Sequence, residues 1–112
     1  MKLPGGEHAV VELAKLRDYC LNQYHPRGRH KARVFAAALS LAQSDTEFLR
    51  GELLRAAREA NATEGDADLY GERYILDFEL TRDDRRAAVR SAWIIRRGEG
   101  FPRLTSCYVL LK

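Results

Sequence analysis

Between Tyr19 and Ser44 the chain carries no acidic residue, and none occurs from Arg85 to Gly98 either. Both gaps are crowded with bases: His25, Arg27, Arg29, His30, Lys31 and Arg33 in the first, and Arg85, Arg86, Arg90, Arg96 and Arg97 in the second. The acids are concentrated from Asp45 to Asp84, so a formal net charge of +3 conceals a segregated field. If the two basic stretches meet in the fold they make a groove for phosphates, which points to a polyanionic partner. Arginine supplies most of the 19 basic side chains, and its guanidinium fork can donate two parallel bonds to one anion.

Other absences narrow the function further. The longest apolar run, around Val34 to Ala42, is broken by Ser40 and is far too short to cross a bilayer. The opening Met1 to Gly6 has no signal-peptide core, so cytoplasmic residence and no membrane partner are expected. With only two cysteines, Cys20 and Cys107, a disulfide framework is excluded; two buried free thiols are expected, and their spacing leaves open whether they meet. His25 and His30 are five residues apart rather than four, and no carboxylate or cysteine pair completes a ligand set, so neither metal nor cofactor is expected. Neither GxGxxG nor a P-loop occurs, and Asp83 with Asp84 reads as a hairpin turn rather than a pair of glycosidase acids.

What is present suits a single globular domain spanning residues 1–112, with 46% hydrophobic and 31% charged residues around one core. Val10, Leu13, Leu16 and Cys20 recur at three- and four-residue steps and predict a helix from Ala9 to Leu21. Gln23 to Gly28 reads as a loop, Pro26 holding His25 extended and Gly28 permitting a turn. A second helix is expected from about Arg29 to Ala42, its stripe of Val34, Phe35, Ala38 and Leu41 flanked by Lys31. A capping box at Ser44 to Glu47 predicts a third, Thr46 to Ala60.

The period then changes to two. Tyr74, Leu76, Phe78 and Leu80 alternate with charges, Arg86 to Arg97 is rich in Val89, Trp93, Ile94 and Ile95, and Leu104 to Leu111 closes the chain. A shorter strand around Ala62 to Asp68 precedes these. The expected class is α+β, with N-terminal helices packed on a C-terminal three- to four-stranded antiparallel sheet.

RNA cleavage without a metal needs a group to take the 2′-hydroxyl proton, another to protonate the leaving oxygen, and donors on the phosphorane. His25, in a loop before a helix, and Lys31, one turn on, are candidates for proton transfer and charge. Ser106 and Tyr108 share a strand face, the serine to bond a phosphate oxygen and the tyrosine to stack on a base. Trp93 is a second candidate for stacking, although a lone tryptophan between Ala92 and Ile94 also suits a core. Arg29, Arg73, Arg90, Arg96 and Arg103 are candidate phosphate contacts. Cys20 falls on the apolar side of the first helix, which argues against a Cys20–His25 nucleophile pair.

Three stretches carry a family resemblance: Leu3-Pro4 with Ala9-Val10-Val11 and Lys15 to Tyr19; Leu21-Asn22 with His25-Pro26, Gly28 and Lys31-Ala32; and Val89-Arg90 with Trp93-Ile94-Ile95, Pro102-Arg103-Leu104 and Tyr108. Together they resemble a small bacterial family of uncharacterised domains found alone, beside a small partner gene, or at the ends of phage head-morphogenesis and polymorphic-toxin proteins. That family is similar to the barnase, EndoU, colicin and RelE (BECR) group of ribonuclease toxins. The resemblance implies helices followed by a four-stranded antiparallel sheet, and points to His25, Lys31, Trp93, Arg103, Ser106 and Tyr108 as site residues. Ser106 stands where members usually show threonine and Val109 where they show proline, so the closing motif is altered.

The expected function is therefore a metal-independent endoribonuclease of toxin type, acting on tRNA or mRNA to leave a cyclic phosphate, with a cognate antitoxin from a neighbouring gene as partner. The competing reading is a non-catalytic module that binds nucleic acid or protein through the same basic surface. A further one is an antitoxin or immunity protein meeting a basic partner through Glu47, Glu52 and Glu59 of the third helix.

Overall fold

The computed structural model describes residues 1–111, with helices first and strands second. A 3-10 turn at Gly6–His8 leads to α1 (Leu13–Lys15), a π-helical turn (Leu16–Cys20), α2 (Arg29–Leu39), a 3-10 turn (Gln43–Asp45) and α3 (Thr46–Glu59). The strands β1 (Ala62–Asp68), β2 (Gly71–Arg82), β3 (Arg85–Arg96) and β4 (Arg103–Val109) form one antiparallel sheet in the order β1-β2-β3-β4. This is the α+β arrangement expected from the switch in hydrophobic period, and β1 makes the sheet four-stranded. Among the described residues no helix is long and apolar enough to cross a membrane.

Alternation along the strands separates two faces. Tyr74, Leu76 and Leu80 of β2, Val89, Ser91 and Trp93 of β3, and Leu104, Cys107 and Val109 of β4 are buried against the helices. The helices contribute Leu16, Cys20, Ala32, Phe35, Leu39, Leu49, Leu53 and Ala57 to the same core. The intervening positions, among them Ile75 and Asp77 of β2 and Arg90, Ala92 and Ile94 of β3, lie on the open face. The edge strand β4 packs against both α2 and the π-helical turn, and the candidate site forms there.

Four local expectations are corrected. The first helix starts at Leu13 rather than Ala9 because the Val10 backbone is engaged with β4: its N–H donates to the Pro102 carbonyl at 2.9 Å and its carbonyl accepts from Leu104 at 3.0 Å. It also widens to a π turn, closed by the Leu21 N–H on the Leu16 carbonyl at 2.8 Å. Helix α2 ends at Leu39, three residues early, since Ser40 takes a left-handed conformation (φ 57°) that turns buried Leu41 into the core.

The Ser44–Glu47 capping box does not form. The Asp45 carboxylate takes the Ala42 N–H at 2.9 Å instead, and the same carboxylate accepts from Arg82 at 2.9 Å. In β4, Ala92 pairs with Ser106 but Trp93 pairs with Leu104, so Thr105 is an extra residue at a β-bulge. The bulge moves Leu104 onto the buried face with Cys107 and Val109, away from Ser106 and Tyr108 with which strict alternation groups it. The Thr105 hydroxyl donates to the Ala92 carbonyl at 3.0 Å across the irregularity.

Candidate functional site

The segment from Asn22 to Gly28, which leads into α2, is a loop built by its own side chains. Asn22 accepts the Tyr24 N–H at Oδ1 (2.9 Å) and donates to the Asp18 carbonyl (3.3 Å), closing the turn after the π helix. His25 Nδ1 accepts the backbone N–H groups of Arg27 and Gly28, each at 3.0 Å. Gly28 lies so close to the preceding turn that a Cβ on it would sit 2.3 Å from the Tyr19 carbonyl oxygen. Asn22, His25 and Gly28 therefore fix where α2 begins, and that sets the position of Lys31 in its first turn.

Lys31 is half-buried, and its ammonium donates to the Tyr19 hydroxyl at 3.2 Å and to Ser106 Oγ at 3.3 Å. The same nitrogen stands 5.1 Å from the centre of the Tyr19 ring and 5.5 Å from that of Tyr108. Three distant pieces of chain, the π turn, α2 and β4, thus meet at one cation. No carboxylate lies within ion-pairing distance of Lys31 among the described residues. The chemical consequence follows from hydrogen-bond direction. Each hydroxyl spends an acceptor site on Lys31, so each keeps its own proton free to donate. With the third ammonium N–H, the cluster presents donors and positive charge to an incoming anion.

The remaining candidates divide. Tyr108 is at the cluster, and its cross-strand partner Arg90 is bound by Asp77 through two contacts of 2.9 Å. Asp77 first, and then Tyr108, hold the Arg90 guanidinium more firmly in its charged form. The His25 ring packs edge-on against Tyr19 at 4.9 Å, but its role changes. Accepting two amides at Nδ1 puts the neutral ring's proton on Nε2, so His25 is a structural acceptor and not a base for a 2′-hydroxyl.

Trp93 is also corrected. It is fully buried and its indole N–H donates to Ser91 Oγ at 2.8 Å, which leaves no ring face for a base. Arg103 donates twice to Glu99 at 3.0 Å and lies over the Phe101 ring, so it meets a phosphate only by giving up that carboxylate. Arg29 is exposed in the first turn of α2, on a different side of the helix from Lys31.

The basic stretches do not gather at one point. Arg85 reaches the Ala37 carbonyl near the end of α2, whereas Arg96 pairs with Gly71 at the far end of β3. Most sheet arginines carry acidic partners: Arg73 with Asp68, Arg86 with Glu79, Arg90 with Asp77 and Arg103 with Glu99. Arg27, Arg29 and Arg33 have no such partner among the described residues, so the free positive charge near the site lies on α2 and its leading loop.

Tyr19 is the site residue that sequence spacing did not single out. Its hydroxyl reaches Lys31 from a π-helical turn, and the extra residue in that turn breaks the regular helical period on which such a reading depends. Beneath the cluster, Cys20 and Cys107 are both fully buried and free. They meet: the two thiols share a hydrogen bond, which lowers the pKa of Cys20, while proximity to Cys20 pushes Cys107 well up. No set of three His, Cys, Asp or Glu side chains is grouped to hold a metal among the described residues.

No curated protein and no solved structure matches this chain. A family model described as a domain of unknown function, DUF6883, matches residues 2–111, a span that includes the loop, Lys31 and the closing strand. The chain belongs to the DUF6883 family.

Proposed function

We propose that this protein is a metal-independent endoribonuclease of toxin type whose reacting phosphate sits against Lys31, Ser106 and Tyr19. The observation that carries the reading is an ammonium with no carboxylate partner among the described residues, donating to two hydroxyls that retain their own protons. The sequence motifs' resemblance to a family similar to the BECR ribonuclease toxins supplies the proposed substrate class, RNA, with tRNA or mRNA as the molecules cut. A cytoplasmic setting and a cognate antitoxin from a neighbouring gene belong to the same reading.

In the reaction, the 2′-oxygen bonds to phosphorus as the bond to the 5′-oxygen breaks, leaving a 2′,3′-cyclic phosphate. Lys31 neutralises charge gathering on the non-bridging oxygens, and the Ser106 hydroxyl donates to one of them. Tyr19, its oxygen already bonded to Lys31, gives its proton to the departing 5′-oxygen and regains one from solvent. The 2′-proton leaves to water, because His25 Nδ1 is occupied by backbone amides. The Tyr108 ring offers a surface for a neighbouring base.

The engagement of His25 favours one rival, a non-catalytic module that binds RNA at the same cluster. Cleavage separates the two. A short oligoribonucleotide incubated with purified protein in EDTA is expected to yield cyclic-phosphate ends, and a 2′-deoxy substitution at the cut site to block them. Lys31→Met is expected to slow cleavage by about 10²-fold or more. Salt-sensitive binding of the oligonucleotide with no cleavage would establish the rival instead.

A further inference from the structure

We propose that Cys20 and Cys107 are a reversible oxidation site, closing an intramolecular disulfide directly beneath the Lys31 cluster. The inference does not depend on what the cluster binds. Its basis is placement. Cys20 follows Tyr19 in the π-helical turn, and Cys107 lies between Ser106 and Tyr108 in β4. Tyr19 and Ser106 are held within 3.2 and 3.3 Å of the same Lys31 nitrogen, so one cation pins together the two pieces of chain that carry the thiols. Both thiols are free and buried in the same core, where the π turn that carries Cys20 packs directly on the strand that carries Cys107, and the lowered pKa of Cys20 names Cys107 as its hydrogen-bond partner.

Two further features favour bond formation. The Cys107 N–H, on the outer edge of the edge strand, is also directed at the Cys20 sulfur, and the fields of Lys31 and Lys15 add to the preference for a thiolate there. What raises Cys107 is chiefly Cys20 itself, then burial, while Lys31 acts in the opposite direction. Once Cys20 is oxidised its hydrogen bond no longer holds the Cys107 proton, and Cys107, the neighbouring sulfur, is the resolving group.

With hydrogen peroxide as oxidant the chemistry balances in two steps. The Cys20 thiolate attacks a peroxide oxygen, breaking the O–O bond to give a sulfenic acid and hydroxide. Cys107 sulfur then displaces the sulfenic hydroxyl, and its proton leaves with that oxygen as water. In sum, two protein thiols lose two hydrogens and two electrons, and one peroxide is reduced to two waters. Peroxide is small enough to reach a buried pair through transient opening of the short helical segment that carries Cys20.

The test uses the whole chain treated with hydrogen peroxide and digested without reductant. The expected product is a peptide pair joining Cys20 to Cys107, with intact mass lower by two hydrogens and restored by dithiothreitol. Because the bond closes a loop over most of the chain, oxidation is expected to raise Tm by on the order of 10 °C. Cys20→Ser and Cys107→Ser should each lose both effects. The wild-type peptide map decides the matter if either variant fails to fold. A sulfinic or sulfonic acid at either cysteine, a disulfide between two molecules, or thiols that survive treatment intact would each overturn the proposal.

Discussion

At the scale of single residues, the buried Ser91 hydroxyl and the His25 ring have defined partners, and removing one has a calculable effect. Ser91 is fully buried; its hydroxyl donates to the Leu76 carbonyl at 2.7 Å and accepts the Trp93 indole N–H. Ser91→Ala strands that indole donor, so chemical denaturation should show a loss of roughly 1–3 kcal/mol. His25 offers a spectroscopic check. Long-range proton–nitrogen spectra at pH 8 should show Nδ1 bare and the proton on Nε2; the opposite tautomer would remove the account of the loop given by the two amide contacts.

Residue identities disclosed part of this site. Lys31 was legible because it lies one turn before Phe35 on the edge of a helical stripe, and Ser106 with Tyr108 because they sit two apart on a strand. Trp93 read both ways, as core and as a stacking surface, since a strand's period of two separates its faces without saying which face is covered. Tyr19 was hidden by the π turn, and the occupation of His25 by amides only a folded loop brings to it.

Among the elements, the loop into α2 is the most demanding. Gly28→Ala places a methyl 2.3 Å from the Tyr19 carbonyl oxygen and 3.1 Å from its ring, against backbone that cannot move without disturbing the π turn. A cost of about 1–3 kcal/mol is expected, with weaker RNA binding because Tyr19 and Lys31 shift together. The junction before α3 gives a pH dependence. The Ala42 N–H, and then Arg82, hold the Asp45 carboxyl below its ordinary range. A depressed folded-state pKa contributes stability above about pH 4, and that stability is lost as pH falls through the folded value.

Asp45→Asn should therefore lower stability at pH 7 by roughly 1 kcal/mol and flatten the acid side of the stability curve. An unchanged acid limb would contradict that assignment. Helix and strand order followed from hydrophobic period, as did the bounds of α3 and β1, but other boundaries did not. The early stop of α2, the late start of α1 and the β4 bulge depend on contacts far along the chain, such as Val10 with Pro102 and Leu104.

On the whole-molecule scale, the segregated charge visible in the sequence is redistributed by folding. Acidic residues of the central segment neutralise several sheet arginines, as Asp77 does Arg90 and Glu79 does Arg86, and leave Arg29 and Arg33 on α2 without an acidic partner among the described residues. Oligonucleotide binding should reflect the difference. Replacing Arg29 and Arg33 by glutamine should make the dependence of log affinity on log salt shallower by about 1.4, for two single-strand phosphate contacts. The same change at Arg73 and Arg86 should leave it nearly unaltered; equal effects from both pairs would mean that the sheet's ion pairs open on binding.

Lys31, drawn between Tyr19 and Ser106 by the packing of α2 and the π turn on β4, is where these scales converge. The most direct measurement is to induce the chain and its Lys31→Met variant in cells at matched levels and map the ends of the RNA recovered. New 2′,3′-cyclic-phosphate ends with the wild type and none with a folded variant are the predicted result. Intact RNA with the wild type, or equal cutting by both proteins, would contradict the assignment of this cluster as the place where RNA is broken.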